Sequence, residues 1–295
     1  MWDNYAEWYR RGPGASFLVE ARLPAGAPVQ LFRVRRPAGH YSDPGTTDMT
    51  VHFVLKGSRA HLDFGSGHFL HNGRSGDFAL GPAGVACAAL MADLHEVLVL
   101  SVPGALLRGV LAEATKIDLR DHGPLHAAMN RDTVIESLLC RLWAEAAEGN
   151  PMGPLFADDA AAAVAGRLAR LALRASGMPD MDEDTPPLHG ARLARVLALI
   201  EDSLDAELRQ AVLAAVAGLS PWHFARAFRA ATGVAPHRFV LLRRLARAQW
   251  LLRATKLDVA EVAAACGFAD HAHLTVTFKR QTGTTPSQWR AALRD

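Results

Sequence analysis

Two stretches in the last third of the chain repeat one pattern about fifty residues apart. Residues 218–233 read GLSPWHFARAFRAATG and residues 267–283 read GFADHAHLTVTFKRQTG, with Phe228 aligned on Phe278. In each copy, small apolar residues that fit a short helix precede a glycine, and a second helical segment then stops at Thr-Gly. The pattern predicts two helix-turn-helix units, because glycine permits the turn and small residues let two helices cross closely.

The second helix of each copy has an apolar face and an outward face. Phe224 and Phe228 share one face of the first copy with alanines at helical spacing, which predicts the core side. The opposite faces suit entry into the DNA major groove, where arginine pairs with guanine and apolar groups contact thymine methyls. The candidate DNA-contacting residues are Trp222, Ala225, Arg226 and Arg229 in the first helix, and His271, Ala272, Thr275, Val276 and Lys279 in the second. For Trp222, a partly buried surface tryptophan is the alternative interpretation.

Residues 235–255 join the two copies and carry apolar residues at helical spacing. The stripe consists of Leu241, Leu245, Ala248 and Leu252. About 19 residues at about 1.5 Å each give a helix of roughly 28 Å, which is close to the roughly 34 Å turn of B-DNA. The connector therefore predicts that one chain sets two recognition helices into successive major grooves on one face of the duplex.

Positive charge is concentrated in the same third of the chain. From residue 189 onward there are 15 Lys and Arg against 8 Asp and Glu, a balance of +7, whereas the remainder holds 17 against 22, a balance of −5. The net charge of +2 hides this division. A cationic domain of this kind favours double-stranded DNA as its partner, with a solvated arginine-rich helical surface as the alternative.

The first two thirds of the chain divide into a strand-rich part and a helical part. Residues 26–102 are short apolar runs between turn residues, which predicts an antiparallel barrel or sandwich. Beyond Pro103, helical spacing predicts two amphipathic helices within 132–176, broken at 149–154, whose apolar stripe predicts dimerisation. The acidic, proline-containing stretch 177–188 predicts a linker with few contacts to the domains on either side.

The cellular setting is predicted from features that the sequence lacks. The three cysteines have no Cys-x-x-Cys spacing, which argues against a disulfide framework or a thiolate zinc site. No run approaches the roughly 18 apolar residues of a membrane span, and the first residues carry charges where a signal peptide has an apolar core. The sequence therefore predicts a soluble, cytoplasmic protein that does not engage a membrane.

The C-terminal landmarks together resemble the DNA-binding domain of the AraC family of bacterial transcription regulators. They are GLSPWHFARAFRAATGVAPHRFV, LLRATKLDVAEVAAACGF and FKRQTGTTPSQWR, in this order from about Arg192 to Leu293. The resemblance implies a homodimer that binds promoter DNA, and contact with RNA polymerase if the protein is an activator. It also implies base-facing roles for Trp222, Ala225 and Arg226, and for His271, Ala272, Thr275 and Val276, where Val276 replaces the arginine or polar residue usual in the family.

A weaker resemblance links the first part of the chain to the cupin-like sensor domain of such regulators. VHFVLKG at 51–57 and GDFALGPAG at 76–84 carry it, but Cys87 and Thr50 stand where metal-binding cupins place a histidine and a glutamate. Six histidines lie in this region, yet their spacing does not fit a metal site, so we expect no metal or other cofactor. A small organic effector is the expected ligand, oriented by Arg33, Arg35, His40 and His52, which could equally be solvent-facing strand residues.

These interpretations combine into an α+β chain. We expect a cupin-like β-barrel sensor domain at 1–102, a helical dimerisation segment at 103–176, a linker at 177–188 and an all-α domain at 189–295 with two helix-turn-helix motifs joined by a long helix. The expected function is sequence-specific regulation of transcription under the control of the effector, with no catalytic residues. The alternatives are a cupin-type enzyme fused to a DNA-binding tail, and a constitutive DNA-binding protein whose barrel only dimerises.

Overall fold

The computed structural model describes residues 2–24, 29–106, 123–177 and 186–292 of the chain. The chain divides into two compact units, one formed by Met1–Ala147 with Ala160–Glu183, and the other by Glu148–Asp159 with Asp184–Asp295. Most of the predicted linker lies outside the described residues, so its extent stays a prediction. Among the described residues, no helix combines the length and the apolar character needed to cross a membrane.

The first unit is mainly antiparallel β-structure. Helix α1 (Tyr5–Arg11) and a 3-10 turn (Pro13–Phe17) precede the strands. The strands are β1 Leu18–Arg22, β2 Gln30–Arg36, β3 Gly39–Asp43, β4 Asp48–Lys56, β5 Ala60–Asp63, β6 His68–His71, β7 Asp77–Gly81, β8 Cys87–Met91, β9 His95–Pro103 and β10 Asn130–Arg131. They form a six-stranded sheet in the order β1-β2-β9-β4-β7-β10 and a four-stranded sheet in the order β3-β8-β5-β6.

The two sheets do not close into the predicted barrel. A closed barrel needs every strand paired on both sides, whereas among the described strands β1 and β10 end one sheet and β3 and β6 end the other. The chain instead crosses between sheets at paired glycine corners, where a Cβ on Gly45 would lie 2.6 Å from the Gly84 carbonyl oxygen, and one on Gly57 would lie 2.5 Å from that of Gly73. The strand-rich class is confirmed, and the closed barrel is corrected to two separate antiparallel sheets.

Two helices follow the sheets, as the spacing of apolar residues predicts. They are α2 (Thr133–Ala147) and α3 (Gly153–Ala175), and the break between them includes Gly149 and Asn150 with positive φ angles of 81° and 60°. Of the stripe predicted for dimerisation, Leu142, Val164 and Leu168 are buried inside the chain, whereas Leu138 and Leu171 are partly exposed. A substitution in this stripe therefore acts first on folding.

The second unit is helical from Gly190 onward. Its helices are α4 Gly190–Asp202, α5 Gln210–Ala217, α6 Pro221–Thr232, α7 Pro236–Ala254, α8 Val259–Ala265, α9 His271–Thr282 and α10 Pro286–Ala292. Helix α7 is the predicted connector of 19 residues. One core surrounds Phe228 and includes Val240, and a second surrounds Phe278 and includes the predicted stripe of α7. Each helix-turn-helix unit thus has its own core, and α7 contributes to both.

The turns of the two helix-turn-helix units need glycine for different reasons. Gly218 ends α5 with φ 68° and has open space around the position of a Cβ, so it supplies only the left-handed conformation. Gly267 has φ 72°, and a Cβ there would lie 2.3 Å from the carbonyl oxygen of Leu204. The second turn therefore needs glycine for both conformation and space.

Candidate nucleic-acid interface and ligand cavity

The first recognition helix, α6, begins at a defined cap. The Ser220 side chain accepts a hydrogen bond from the His223 backbone N–H, and Pro221 occupies the first turn, where its missing N–H costs nothing. Phe224 and Phe228 are fully buried, as predicted for the core face. On the opposite face Arg229 is exposed, and Ala225 and Arg226 are partly exposed.

Trp222 lies differently from its predicted outward position. Its side chain is only 7% exposed, and the Arg226 guanidinium lies 4.7 Å from the centroid of the indole ring. The His223 ring packs edge-on against the same indole at 4.8 Å. A guanidinium stacked on an aromatic ring is stabilised by cation–π attraction and loses side-chain freedom. Trp222 therefore forms a platform that orients Arg226, which agrees with the alternative of a partly buried tryptophan.

The second recognition helix, α9, is capped by Asp270, whose side chain accepts from the His273 backbone N–H. His271, Ala272, Val276 and Lys279 are exposed on one face, with Val276 at 65%. Thr275 is partly exposed, and its hydroxyl donates to the His271 carbonyl oxygen at 2.7 Å. The hydroxyl proton is thus already used, so Thr275 can only accept a hydrogen bond from a base.

Two further cations near α9 were missed by the sequence reasoning. Arg280 is exposed and follows Lys279 on the helix. Arg238 of the connector helix α7 donates to the Gln281 side chain at 2.9 Å and so joins the start of α7 to the end of α9. Arg280 could have been found from its position four residues after Val276, whereas the Arg238 contact depends on the fold.

The first unit encloses a cavity of about 40 Å³. Its wall is mostly apolar and includes Val34, Val54, Leu62, Phe64, Ala79, Met91, Val97 and Met129. Its polar lining consists of Tyr9, Arg36, Asp43, His52, His71, Cys87 and His95. An apolar pocket with a few convergent polar groups is typical of a small-molecule site.

An ion pair and two atoms without partners give the cavity its polarity. Arg36 donates to the Asp43 carboxylate at 2.6 Å and to the Tyr9 hydroxyl at 3.3 Å. Within the described residues, Arg36 Nε and His71 Nε2 are buried and have no hydrogen-bond partner. Leaving such groups unsatisfied is costly, so both atoms are candidates for pairing with a ligand.

The imidazoles of the cavity are neutral at neutral pH. Burial lowers the pKa of His52 and the pKa of His95 to about 4, and it also lowers the pKa of His71. Burial raises the pKa of the Cys87 thiol to about 12, so this group is protonated. Because Asp43 balances Arg36, the cavity carries no net charge.

Of the four predicted ligand residues, only His52 lines this cavity. Because side chains alternate along β2, Arg33 and Arg35 lie on the other face of the large sheet. Both pair there with Glu96, at 3.0 Å for Arg35. His40 lies on the outer face of the small sheet beside His61 and His68. The residues that were missed are Arg36, Asp43, His71 and His95. Among the described residues, no three histidine, cysteine, aspartate or glutamate side chains could hold a metal ion together.

Comparison with known proteins identifies the C-terminal region. A helix-turn-helix domain family matches residues 213–292. The transcriptional activator RhaR of Cronobacter sakazakii is 33% identical over 106 residues, which is 36% of this chain and 38% of that protein. RhaR of Salmonella typhi is 44% identical over 63 residues, 21% of this chain and 22% of its own length. The chain thus matches well under half of either relative.

Solved structures are similar over the same region. The DNA-binding domain of AdpA, crystallised with a target DNA, is 38% identical and covers 36% of this chain and 95% of its own, with a TM-score of 0.35. An AraC-type regulator from Chromobacterium violaceum is 28% identical and covers 35% of this chain and 91% of its own, with a TM-score of 0.33. By the match of residues 213–292 and the identity to RhaR, the C-terminal domain of the chain belongs with the AraC-type helix-turn-helix DNA-binding domains.

Proposed function

We propose that the chain is a sequence-specific transcription regulator that reads promoter DNA with α6 and α9 and responds to a small organic molecule in the cavity of its first unit. It acts in the cytoplasm as a homodimer, contacts RNA polymerase if it is an activator, and catalyses no reaction. The observation that supports this most strongly is the pair of capped helices with exposed outer faces, joined by a 19-residue helix.

The two recognition helices divide the work of binding. Arg226, held on the Trp222 ring, is pre-ordered for a bidentate bond to guanine, which is worth about 1 to 3 kcal/mol of discrimination. The outer face of α9 offers Val276 for a thymine methyl and Lys279 for a phosphate. Specificity therefore lies mainly with α6.

Titration of the full chain against a duplex selected from a random pool and against a scrambled duplex tests this division. Arg226→Ala should weaken binding to the selected duplex roughly 10-fold or more and scrambled DNA much less. Lys279→Ala should weaken both alike and reduce the salt slope by about one. Arg10→Ala, an exposed arginine of α1 in the first unit, is the charge-matched control. An unchanged specificity ratio in Arg226→Ala would assign the reading of bases to α9.

The effector that the cavity favours is uncharged. Asp43 already balances Arg36, and the neutral imidazoles add no charge. A ligand can accept from Arg36 Nε and pair with His71 Nε2 at its polar end. The cavity volume of about 40 Å³ is small beside the roughly 150 Å³ of a cavity that binds benzene. A larger effector must therefore displace side chains, and the flexible side chains of Met91 and Met129 are suited to move.

A thermal-shift screen with matched uncharged and carboxylate compounds tests the effector proposal. Uncharged compounds should raise the melting temperature, and the shift should vanish in Ala79→Leu, which narrows the cavity. Ala163→Leu adds the same atoms at an exposed position of α3 and should keep the shift. A stabilising compound that leaves the DNA affinity unchanged would instead support a constitutive DNA-binding protein.

The oligomeric state needs a separate test, because most of the apolar stripe predicted on α2 and α3 is buried. Sedimentation of the wild-type chain should give a dimer. Leu168→Glu places a carboxylate at a fully buried position, so it should unfold the first unit rather than release folded monomers. Folded monomers from this variant would show that the stripe forms the interface after all.

A further inference from the structure

Residues 152–159, which we call the brace, belong to the compact unit of the DNA-binding helices although they precede the predicted linker. Met152 packs against the core around Phe278. Leu155 is buried in the core around Phe228. One short segment therefore contacts the cores of both helix-turn-helix units.

Two consecutive carboxylates of the brace bind the starts of two different helices. Asp158 accepts from the Gln210 backbone N–H at 3.3 Å and pairs with Arg209 Nε at 3.2 Å, at the first residues of α5. Asp159 accepts from the His237 backbone N–H at 3.0 Å and contacts His237 Nδ1 at 2.8 Å, at the first turn of α7. Negative charge is favourable at a helix N-terminus, where backbone N–H groups lack partners within the helix.

These contacts bracket the first recognition helix. Helix α5 precedes α6 and α7 follows it, so the carboxylates fix the elements on both sides of the helix that carries Arg226. The Phe156 ring packs edge-on against His237 at 5.2 Å and adds a third contact at the start of α7. Met152 packs against the core of the second helix-turn-helix unit, so the brace contacts both helix-turn-helix units.

The two carboxylates of the brace are better suited to orienting the helices around them than to stabilising the fold. Burial raises the pKa of Asp158 even though Arg209 lies beside it, so holding this carboxylate ionised carries a cost. Within the described residues, Asp159 Oδ1 is buried without a hydrogen-bond partner. Buried charges that do little for stability can instead select one arrangement of the helices around them.

We propose that the brace is a positioning element that sets the relation between the two helix-turn-helix units, and with it the spacing of the two major-groove sites that the chain accepts. This inference rests on the proposed function of α6 and α9 in DNA binding. Inserting one base pair between two sites moves them apart by about 3.4 Å and rotates one by about 35°. If the brace holds the two helix-turn-helix units in one arrangement, one inserted base pair should lower the affinity for DNA strongly. If the brace is removed, the same insertion should lower the affinity less.

The test compares spacing penalties in the full chain. The duplex is one selected from a random pool by the wild type, together with versions that have one base pair inserted or deleted between the two contacted segments. We expect the wild type to lose roughly 10-fold or more in affinity on either change, on the scale of one to two lost base contacts. The Asp158→Ala/Asp159→Ala variant should lose less than about 3-fold, with weaker binding to the original duplex.

Asp202→Ala removes an exposed acidic side chain at the end of α4 and is the matched control, which should keep the wild-type penalty. A general loss of stability would weaken binding to all three duplexes alike, so an unchanged spacing penalty in the double variant would overturn the proposal. If circular dichroism shows that the double variant is unfolded, Asp159→Asn and Leu155→Ala carry the same comparison. If the wild type selects no duplex at all, the proposed function fails before the brace is examined.

Discussion

Acidification should destabilise the first unit through His95, a cavity residue that is only 4% exposed. Burial, with smaller contributions from His71 and Arg36, lowers the pKa of His95 to about 4 from an ordinary value of 6.5. The Ser58 backbone N–H donates to His95 Nδ1 at 3.3 Å, so the proton would have to bind a nitrogen that already accepts a hydrogen bond. The folded chain therefore resists protonation at this site.

The size of the effect follows from proton linkage. The unfolded chain binds a proton at His95 as the pH falls through about 6.5, whereas the folded chain does so only near 4, so stability is lost on acidification within this window. Between pH 7 and pH 5 the loss is about 2 kcal/mol for this one residue. The pKa of the buried His71 and the pKa of the partly buried His52 are also lowered, so both residues should add to this loss.

Urea unfolding at pH 7 and pH 5 measures this loss. In His95→Gln, the difference in unfolding free energy between the two pH values should shrink by about 2 kcal/mol relative to the wild type. His68→Gln removes an exposed imidazole of the small sheet and should leave the wild-type difference in place. An equal pH dependence in His95→Gln and the wild type would refute the argument that a buried neutral imidazole faces the cavity.

Two further predictions compare positions in the helix-turn-helix units by their unfolding free energies. Gly218→Ala should cost about 1 kcal/mol, because only the left-handed conformation opposes it. Gly267→Ala should cost several times more, because its Cβ would overlap the Leu204 carbonyl oxygen. Similar costs would contradict the close approach of Gly267 to Leu204. Asp258 forms a reciprocal capping box with Glu261 at the start of α8, so Asp258→Ala should cost about 1 kcal/mol in the same assay, and no measurable cost would show that the box is not formed in solution.

The helical domain was predictable because its signals are local. Gly218, Gly233 and Gly283 do adopt the left-handed conformation at helix ends, and the apolar spacing of α6 and α7 does correspond to buried faces. Trp222 was the exception, because the neighbouring Arg226 covers a ring that helical geometry alone places outward. Helix periodicity gives direction, whereas exposure also depends on what lies over the side chain.

The cavity was predictable only as a class. Arg35 and Arg36 are adjacent in β2, and one of them had to face inward. Alternation could not decide which, because Leu31 and Phe32 on opposite faces of the same strand are both fully buried. The brace was not predicted, because residues 149–154 mark a break in the chain but do not show what the helical residues after the break contact.

The central claim, that one chain reads two successive major grooves, is tested most directly by guanine N7 methylation interference on the selected duplex. The full chain should show two clusters of interference in each half-site, about 10 base pairs apart and on one face of the duplex. Arg226→Ala should lose its contact in one cluster and keep the other. A single cluster in each half-site, or two clusters that both survive Arg226→Ala unchanged, would contradict the account.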